Sequence, residues 1–275
     1  MLRISKISFP GFGIGEFSVN SVAIPGIDIA WYAIFITIGM VLAVLYTVFR
    51  AKRIGITIDD VIDLALWAIP IGIVGARLYY VLSKLEDYNS FLEVINIRNG
   101  GLAIYGGILA GALTVFLVCR HKRINFFAFA DCCTPGIILA QAIGRWGNFM
   151  NGEAFGATTD IFCRMGLSNV LTGGELVYVH PTFLYESLWN ILGFVLVNLF
   201  YKKKQYDGQV LFAVFGWYGL GRMFIEGLRQ DSLYFSLFGL QLRTSQVLAA
   251  VLFILCTGLL IYFAIKKPNK PLYHK

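Results

Sequence analysis

The chain has 275 residues, 57% of them hydrophobic and only 14% charged, with a formal net charge of +7. A soluble domain carries roughly 25% charged residues, so composition excludes one, and the recurrence of long apolar runs from end to end makes a polytopic membrane protein. The positive charge does not mark a nucleic-acid binder, because Lys and Arg sit in short clusters between apolar runs, as membrane topology requires.

In chain order, the segment to about residue 28 is too often broken by Gly and Pro to span. Its Phe9, Phe12 and Phe17 suit a segment lying at the outer interface. No cleavable signal peptide is expected, because Phe9-Pro10-Gly11-Phe12-Gly13 interrupts any apolar core behind the first charges. Spans are predicted at about 29–49, 61–82, 101–119, 126–147, 182–201, 209–228 and 246–265. Basic clusters follow every second crossing: Arg50, Lys52 and Arg53; Arg120, Lys122 and Arg123; Lys202, Lys203 and Lys204; Lys266, Lys267 and Lys270. The positive-inside rule puts these clusters in the cytoplasm, with the amino terminus outside and the carboxyl terminus inside. The connection over about 148–181 is then the longest outside segment and a small head, in which Leu176-Val177-Tyr178-Val179 after Gly173-Gly174 reads as a short strand. No linker or repeat divides the chain. Residues 1–275 therefore read as a single membrane domain of all-α class, with seven transmembrane helices and a small extracytoplasmic head.

The run from Gly144 to Gly156, GRWGNFMNGEAFG, is the most informative. It begins inside an apolar stretch and ends in a polar one, gathering Arg145, Asn148, Asn151 and Glu153 where a helix meets water. An arginine at that depth costs roughly 2.5–3.5 kcal/mol on insertion scales, so it needs a polar cavity or an anionic partner. Arg145 is either a structural lock bonded to helix-end carbonyls or a ligand for an anion. Topology sends further polar groups to the same outer half: Tyr32 in the first span, Arg77 with Tyr79 and Tyr80 in the second, and Asn99 to Gly107 opening the third. His180, Tyr185 and Glu186 open the fifth span, and Tyr218, Arg222, Glu226 and Arg229 lie late in the sixth. Tyr218, Arg222 and Glu226 stand at i, i+4 and i+8, on one helix face. Arg222 can pair with Glu226, contact a ligand, or do each in turn. The glycines from Gly100 to Gly111 serve helix packing or frame a Tyr105 hydroxyl facing a cavity.

Two guanidiniums in a desolvated outer-leaflet site suit a phosphate-bearing lipid headgroup, since each donates bidentately and stays charged. A soluble anion fits the charges too, but the lipid-facing setting and the lack of broken-helix repeats favour a lipid. Walker-type loops, a Ser elbow and a His-x-x-Glu-His pattern are missing from the sequence. The five cysteines are scattered without metal or disulfide spacing and read as small apolar fillers.

On these residues the chain resembles the prolipoprotein diacylglyceryl transferase family, bacterial enzymes that begin lipoprotein maturation. The resemblance covers nearly the full chain. It is carried by Trp31-Tyr32, by Gly75-Ala76-Arg77, by the double-glycine segment around Tyr105 and, most specifically, by Gly144 to Gly156. His180-Pro181-Thr182-Phe183-Leu184-Tyr185-Glu186 and Tyr218 to Glu226 extend it. The resemblance implies that the diacylglyceryl group of phosphatidylglycerol moves onto the thiol of a lipobox cysteine in a prolipoprotein signal peptide. A thioether forms and glycerol phosphate leaves, at the extracytoplasmic face of the bacterial plasma membrane. It implies no cofactor and no metal. Arg145 and Arg222 then bind the phosphate, Asn148, Glu153 and Gly156 shape the site, and Tyr32, Arg77, Tyr218, Glu226 and His180 belong to substrate binding. Many relatives have histidine where this chain has Tyr105, so either the tyrosine takes a catalytic proton or that position needs no base. A transporter or flippase of an anionic lipid or solute would use the same arginines without forming a thioether. A non-catalytic scaffold would use them as helix locks.

Overall fold

The computed structural model describes residues 4–24, 26, 28–88, 90–97, 100–230, 232–237 and 240–266. Asn99, Lys267 and Lys270 lie outside the described residues. Among the described residues, six helices are long and apolar enough to cross a membrane: Trp31–Ile54, Ile58–Ser83, Ile104–His121, Phe126–Asn151, Thr182–Tyr201 and Thr244–Lys266. We label the corresponding α-helices α1 (Trp31–Ala51), α2 (Ile58–Ser83), α4 (Ile104–His121), α5 (Phe126–Asn151), α6 (Thr182–Tyr201) and α8 (Thr244–Lys266), with a short α3 at Phe91–Ile95. The remaining predicted span is α7, Gln209–Glu226. It carries Arg222, Glu226 and several glycines, and buries Val210, Leu211, Val214 and Ile225. A helix that packs against protein tolerates the lower hydropathy that keeps α7 out of the apolar set.

The all-α expectation needs correction outside the long helices. Residues before α1 form strands: β1 (Ile4–Phe9), β2 (Ile14–Asn20), β3 (Val22–Ile24) and β4 (Ile29–Ala30). β5 (Met165–Ser168) and β6 (Val177–Val179) lie in the predicted head, and β6 matches the short strand read after Gly173-Gly174. β1, β2, β5 and β6 join as one antiparallel sheet in the order β2-β1-β5-β6, with Ile7 opposite Phe17 on one side and Leu167 on the other, while β3 and β4 pair with each other. The sheet buries Ile7, Val19, Met165, Leu167 and Val179 against Phe183 at the start of α6. A further hairpin, β7 (Tyr234–Leu237) and β8 (Leu240–Arg243), precedes α8.

The chain divides into two compact units, one formed by 1–43 with 133–275 and the other by 44–132. In the second, α2 and α4 approach through small residues. A Cβ on Gly75 would fall 2.2 Å from Ala110 Cβ, and one on Gly106 would fall 2.4 Å from the Gly75 carbonyl oxygen. Close approach of this kind is the packing role of small residues in membrane helices. At one end of the pair, Lys122 bonds Asp60 at 2.8 Å and Asp63 at 2.7 Å.

In the first unit two tryptophans set the register of α6 on α7. Trp189 and Trp217 stack at 4.2 Å between centroids, and each indole N–H donates to the other's backbone carbonyl, at 3.0 and 2.9 Å. Such a stacked pair contributes about 0.5–1.5 kcal/mol beyond its buried area. The indoles fit because Gly193 and Gly221 leave no side chain in their way. Trp146 similarly ties α5 to α6, donating to the Ser187 hydroxyl at 3.2 Å, which donates to the Ala142 carbonyl at 3.0 Å. These two locks bring Arg145, Glu186 and Arg222 to the same place.

Candidate active site

The site is built from three helix ends in the first unit. Arg145 lies in the last turns of α5, Glu186 in the first turns of α6 and Arg222 one turn before the end of α7. The Glu186 carboxylate joins them: one oxygen, Oε2, lies 2.5 Å from Arg145 Nη2, and the other, Oε1, lies 2.6 Å from Arg222 Nη1. Arg229, just past α7, approaches Oε1 at 3.8 Å. The other side of the Arg222 fork pairs with Glu226. Glu186 and Glu226 are 4% and 2% exposed, so neither carboxylate has bulk water to hydrate it. Carboxylates that deep persist only with guanidinium partners. Of these five groups, three are positive and two negative, and Glu153, joined to Arg145 through Asn148, brings the formal charges into balance.

The spacing of the signature run has a physical cause. Arg145, Asn148 and Asn151 fall at i, i+3 and i+6 along α5, so their side chains rise on one face. The chain then turns at Gly152 (φ 60°) and Ala154 (φ 57°), which folds Glu153 back onto the helix. Asn148 Nδ2 and Asn151 Nδ2 both donate to Glu153 Oε1, at 3.3 and 2.9 Å, while Arg145 Nη1 donates to Asn148 Oδ1 at 3.4 Å. The sheet secures the turn: Asn169 Nδ2 donates to the Gly152 carbonyl at 2.8 Å and to Ser5 Oγ at 3.2 Å. Tyr32 packs against Gly147, where a Cβ would come within 2.5 Å of its ring. Tyr218 is half-buried on α7, one turn before Arg222.

Gly156 has a positional task. A Cβ there would fall 2.6 Å from His180 Cβ and 2.8 Å from the Leu228 carbonyl oxygen. Its N–H donates to the His180 carbonyl, His180 N–H to Ala157, and Ala157 N–H to Leu228, at 3.0, 3.0 and 2.7 Å. Residues 156–157 thus clamp the strand before α6 to the end of α7, next to Arg229. The His180 ring bonds the Tyr185 hydroxyl at 3.3 Å, and the same hydroxyl lies 3.4 Å from Cys163 Sγ. Burial holds the His180 imidazole below the ordinary histidine pKa, so the ring is neutral near pH 7.

Arg77 and Tyr105 belong to the second unit. Arg77 spends its guanidinium on carbonyls of Val94 (2.7 Å), Gly100 (2.9 Å), Gly101 (2.9 Å) and Glu93 (2.7 Å). Its head group also lies over the rings of Tyr88 and Tyr80. This is the structural lock considered for Arg145, found instead at Arg77. Tyr105 is half exposed in the first turn of α4. Among the described residues no group of three or more His, Cys, Asp or Glu side chains is placed to hold a metal ion.

Glu186 is the residue that sequence reading placed among the outer polar groups without giving it a role. It follows Tyr185 in a recognisable motif, yet its partners come from two other helices, a relation no spacing within one helix reveals.

Comparison with known proteins gives a consistent picture. The family model described as prolipoprotein diacylglyceryl transferase matches residues 20–262. A protein of Enterococcus faecalis named phosphatidylglycerol–prolipoprotein diacylglyceryl transferase is 46% identical over 270 residues, covering 94% of this chain and 95% of its own. A Clostridium perfringens protein of the same name, numbered 1, is 43% identical over 243 residues, covering 86% and 87%. One from Listeria welshimeri is 40% identical over 271 residues, covering 96% and 95%.

Proposed function

We propose, since the chain belongs to the prolipoprotein diacylglyceryl transferase family, that Arg145 and Arg222 are the phosphate clamp of its reaction. That reaction transfers a diacylglyceryl group from phosphatidylglycerol to a prolipoprotein. The observation that supports this reading most is the single carboxylate shared by both arginines, because two guanidiniums that converge on one anion can converge on another.

The substrate's own lipobox cysteine supplies the nucleophile. Its thiol, with a pKa near 8.5, is only about 3% thiolate at pH 7, and a guanidinium beside it raises that fraction. The thiolate attacks the diacylglycerol carbon that bears the phosphate. A carbon–sulfur bond forms, the carbon–oxygen bond breaks, and the electron pair leaves with the phosphate as glycerol phosphate. Negative charge on the phosphate rises through this step, so the guanidiniums bind the transition state more strongly than the lipid. Asn148, Asn151 and Glu153 hold Arg145 in orientation, Glu226 holds Arg222, and Gly156 with His180 fixes the end of α7. Tyr32 and Tyr218 flank the arginines and contact substrate. Arg77 supports residues 93–97 and 100–101.

In this reading α7 is a seventh crossing, the amino terminus is outside, and the clamp faces the extracytoplasmic side of the plasma membrane. Acyl chains stay in the bilayer and the phosphate product leaves by water. The test is to incubate the purified protein with phosphatidylglycerol vesicles and a lipobox peptide and weigh the peptide by mass spectrometry. A gain of one diacylglyceryl mass on cysteine is expected. Lipid translocation with no change in peptide mass would replace the transferase with a flippase.

A further inference from the structure

The two oxygens of the Glu186 carboxylate each take a different arginine, from different helices. Two free oxygens of a phosphate ester have nearly the same spacing as those of a carboxylate, which is why guanidinium forks bind both. We infer that Glu186 is an internal stand-in for phosphate: it holds Arg145 and Arg222 at phosphate spacing in the lipid-free protein and opposes retention of the phosphate product. The inference rests on the reading of these arginines as the phosphate clamp.

Two half-buried guanidiniums with no anion between them would repel each other, and the nearly inaccessible Glu186 removes that penalty before lipid arrives. Its place at the start of α6 is fixed by the Trp146–Ser187 and Trp189–Trp217 locks, so the arginines are set by a rigid element. The reaction then changes the balance at the clamp. The lipid phosphate is a diester with one negative charge, whereas the released glycerol phosphate is a monoester, with a second pKa near 6 and close to two charges at neutral pH. A fixed carboxylate beside it repels the product more than the substrate. Glu186 thus acts through the arginines as a positioning residue that favours product departure.

The experiment compares the wild-type protein with Glu186→Gln and Glu186→Asp in the vesicle assay, adding glycerol phosphate as inhibitor. Glu186→Gln keeps shape and one acceptor oxygen but loses the charge. Its inhibition constant for glycerol phosphate is expected to fall at least tenfold, with KM for phosphatidylglycerol and kcat both lowered. Glu186→Asp keeps the charge and should keep the weak product inhibition of the wild type, while its shorter reach raises KM. An unchanged inhibition constant in Glu186→Gln, or equally tight inhibition in Glu186→Asp, overturns the proposal. Should Glu186→Gln unfold in detergent, inorganic phosphate at millimolar concentration is expected to restore its thermal transition, and no restoration overturns the proposal as well. A wild-type protein that transfers no diacylglyceryl group would instead remove the function beneath it.

Discussion

Substituting Gly156 by Ala tests whether the signature glycine serves close approach rather than ligand contact. The added methyl carbon would lie 2.6 Å from His180 Cβ, 2.8 Å from the Leu228 carbonyl oxygen and 3.1 Å from Thr182 Cγ2. Carbon atoms prefer about 3.5–4.0 Å, so the 156–157 segment must move about 1 Å from the strand before α6 or from the end of α7. Overpacking of this kind costs about 1–3 kcal/mol. Loss of one of the three backbone hydrogen bonds that clamp the segment adds about 1 kcal/mol. The expected result is a melting temperature lower by about 5–10 °C. Because Arg229 pairs with Gly156 through the backbone, the displacement reaches the arginine cluster, and a 1 Å error there costs about a hundredfold in rate. Gly144→Ala is the matched control within the same run, since a Cβ there meets nothing within 4 Å. It should be neutral or stabilising by up to about 1 kcal/mol. Thermal unfolding in detergent and the vesicle assay give both readouts. Wild-type stability and rate in Gly156→Ala would refute the close-approach argument.

Three further expectations follow from the geometry. Arg145→Lys should lower kcat/KM at least about a hundredfold, because one ammonium cannot hold Asn148 and Glu186 as the two arms of the fork do; normal turnover in a correctly inserted variant would remove Arg145 from the clamp. Arg77→Lys should loosen residues 93–97 and 100–101 by about 2–4 kcal/mol, since four carbonyls lose a planar partner, and hydrogen exchange over those residues should accelerate. His180 lies below its ordinary pKa through burial, so the unfolded chain takes up its proton first and the native state loses stability as pH falls through about 6.5. The wild type should therefore lose more melting temperature between about pH 7.5 and pH 5.5 than His180→Gln does, and an equal loss in both would assign the acid sensitivity elsewhere.

The long helices were legible because apolar length and the alternation of basic clusters are local facts. The face shared by Tyr218, Arg222 and Glu226 was legible for the same reason, as three positions one turn apart. Glu186 was not, because the meaning of a lone acid near a helix start depends on which neighbours the tertiary packing supplies. Arg145 and Arg77 look alike in sequence, each an arginine at the outer end of a predicted span. Only tertiary packing separates the one held by side chains from the one saturated by backbone carbonyls. The strand β1 escaped notice because its buried face presents Ser5 beside Ile7 while Ile4 is exposed. An apolar alternation cannot be read where a serine, bonded to Asn169, occupies an inward position.

The sheet that secures the turn after α5 pairs Lys6 with Ser168. The first strand therefore leaves the ribosome long before the strand it must join has been made, and several helices are inserted by the translocon in between. During that interval the early hairpin has an open edge available to any passing extended chain. Completion of the catalytic end of α5 must therefore wait for the segment from β5 to β6, and a bulky fusion at the front of the chain would be felt at the far side of the sheet, where Asn169 grips Gly152.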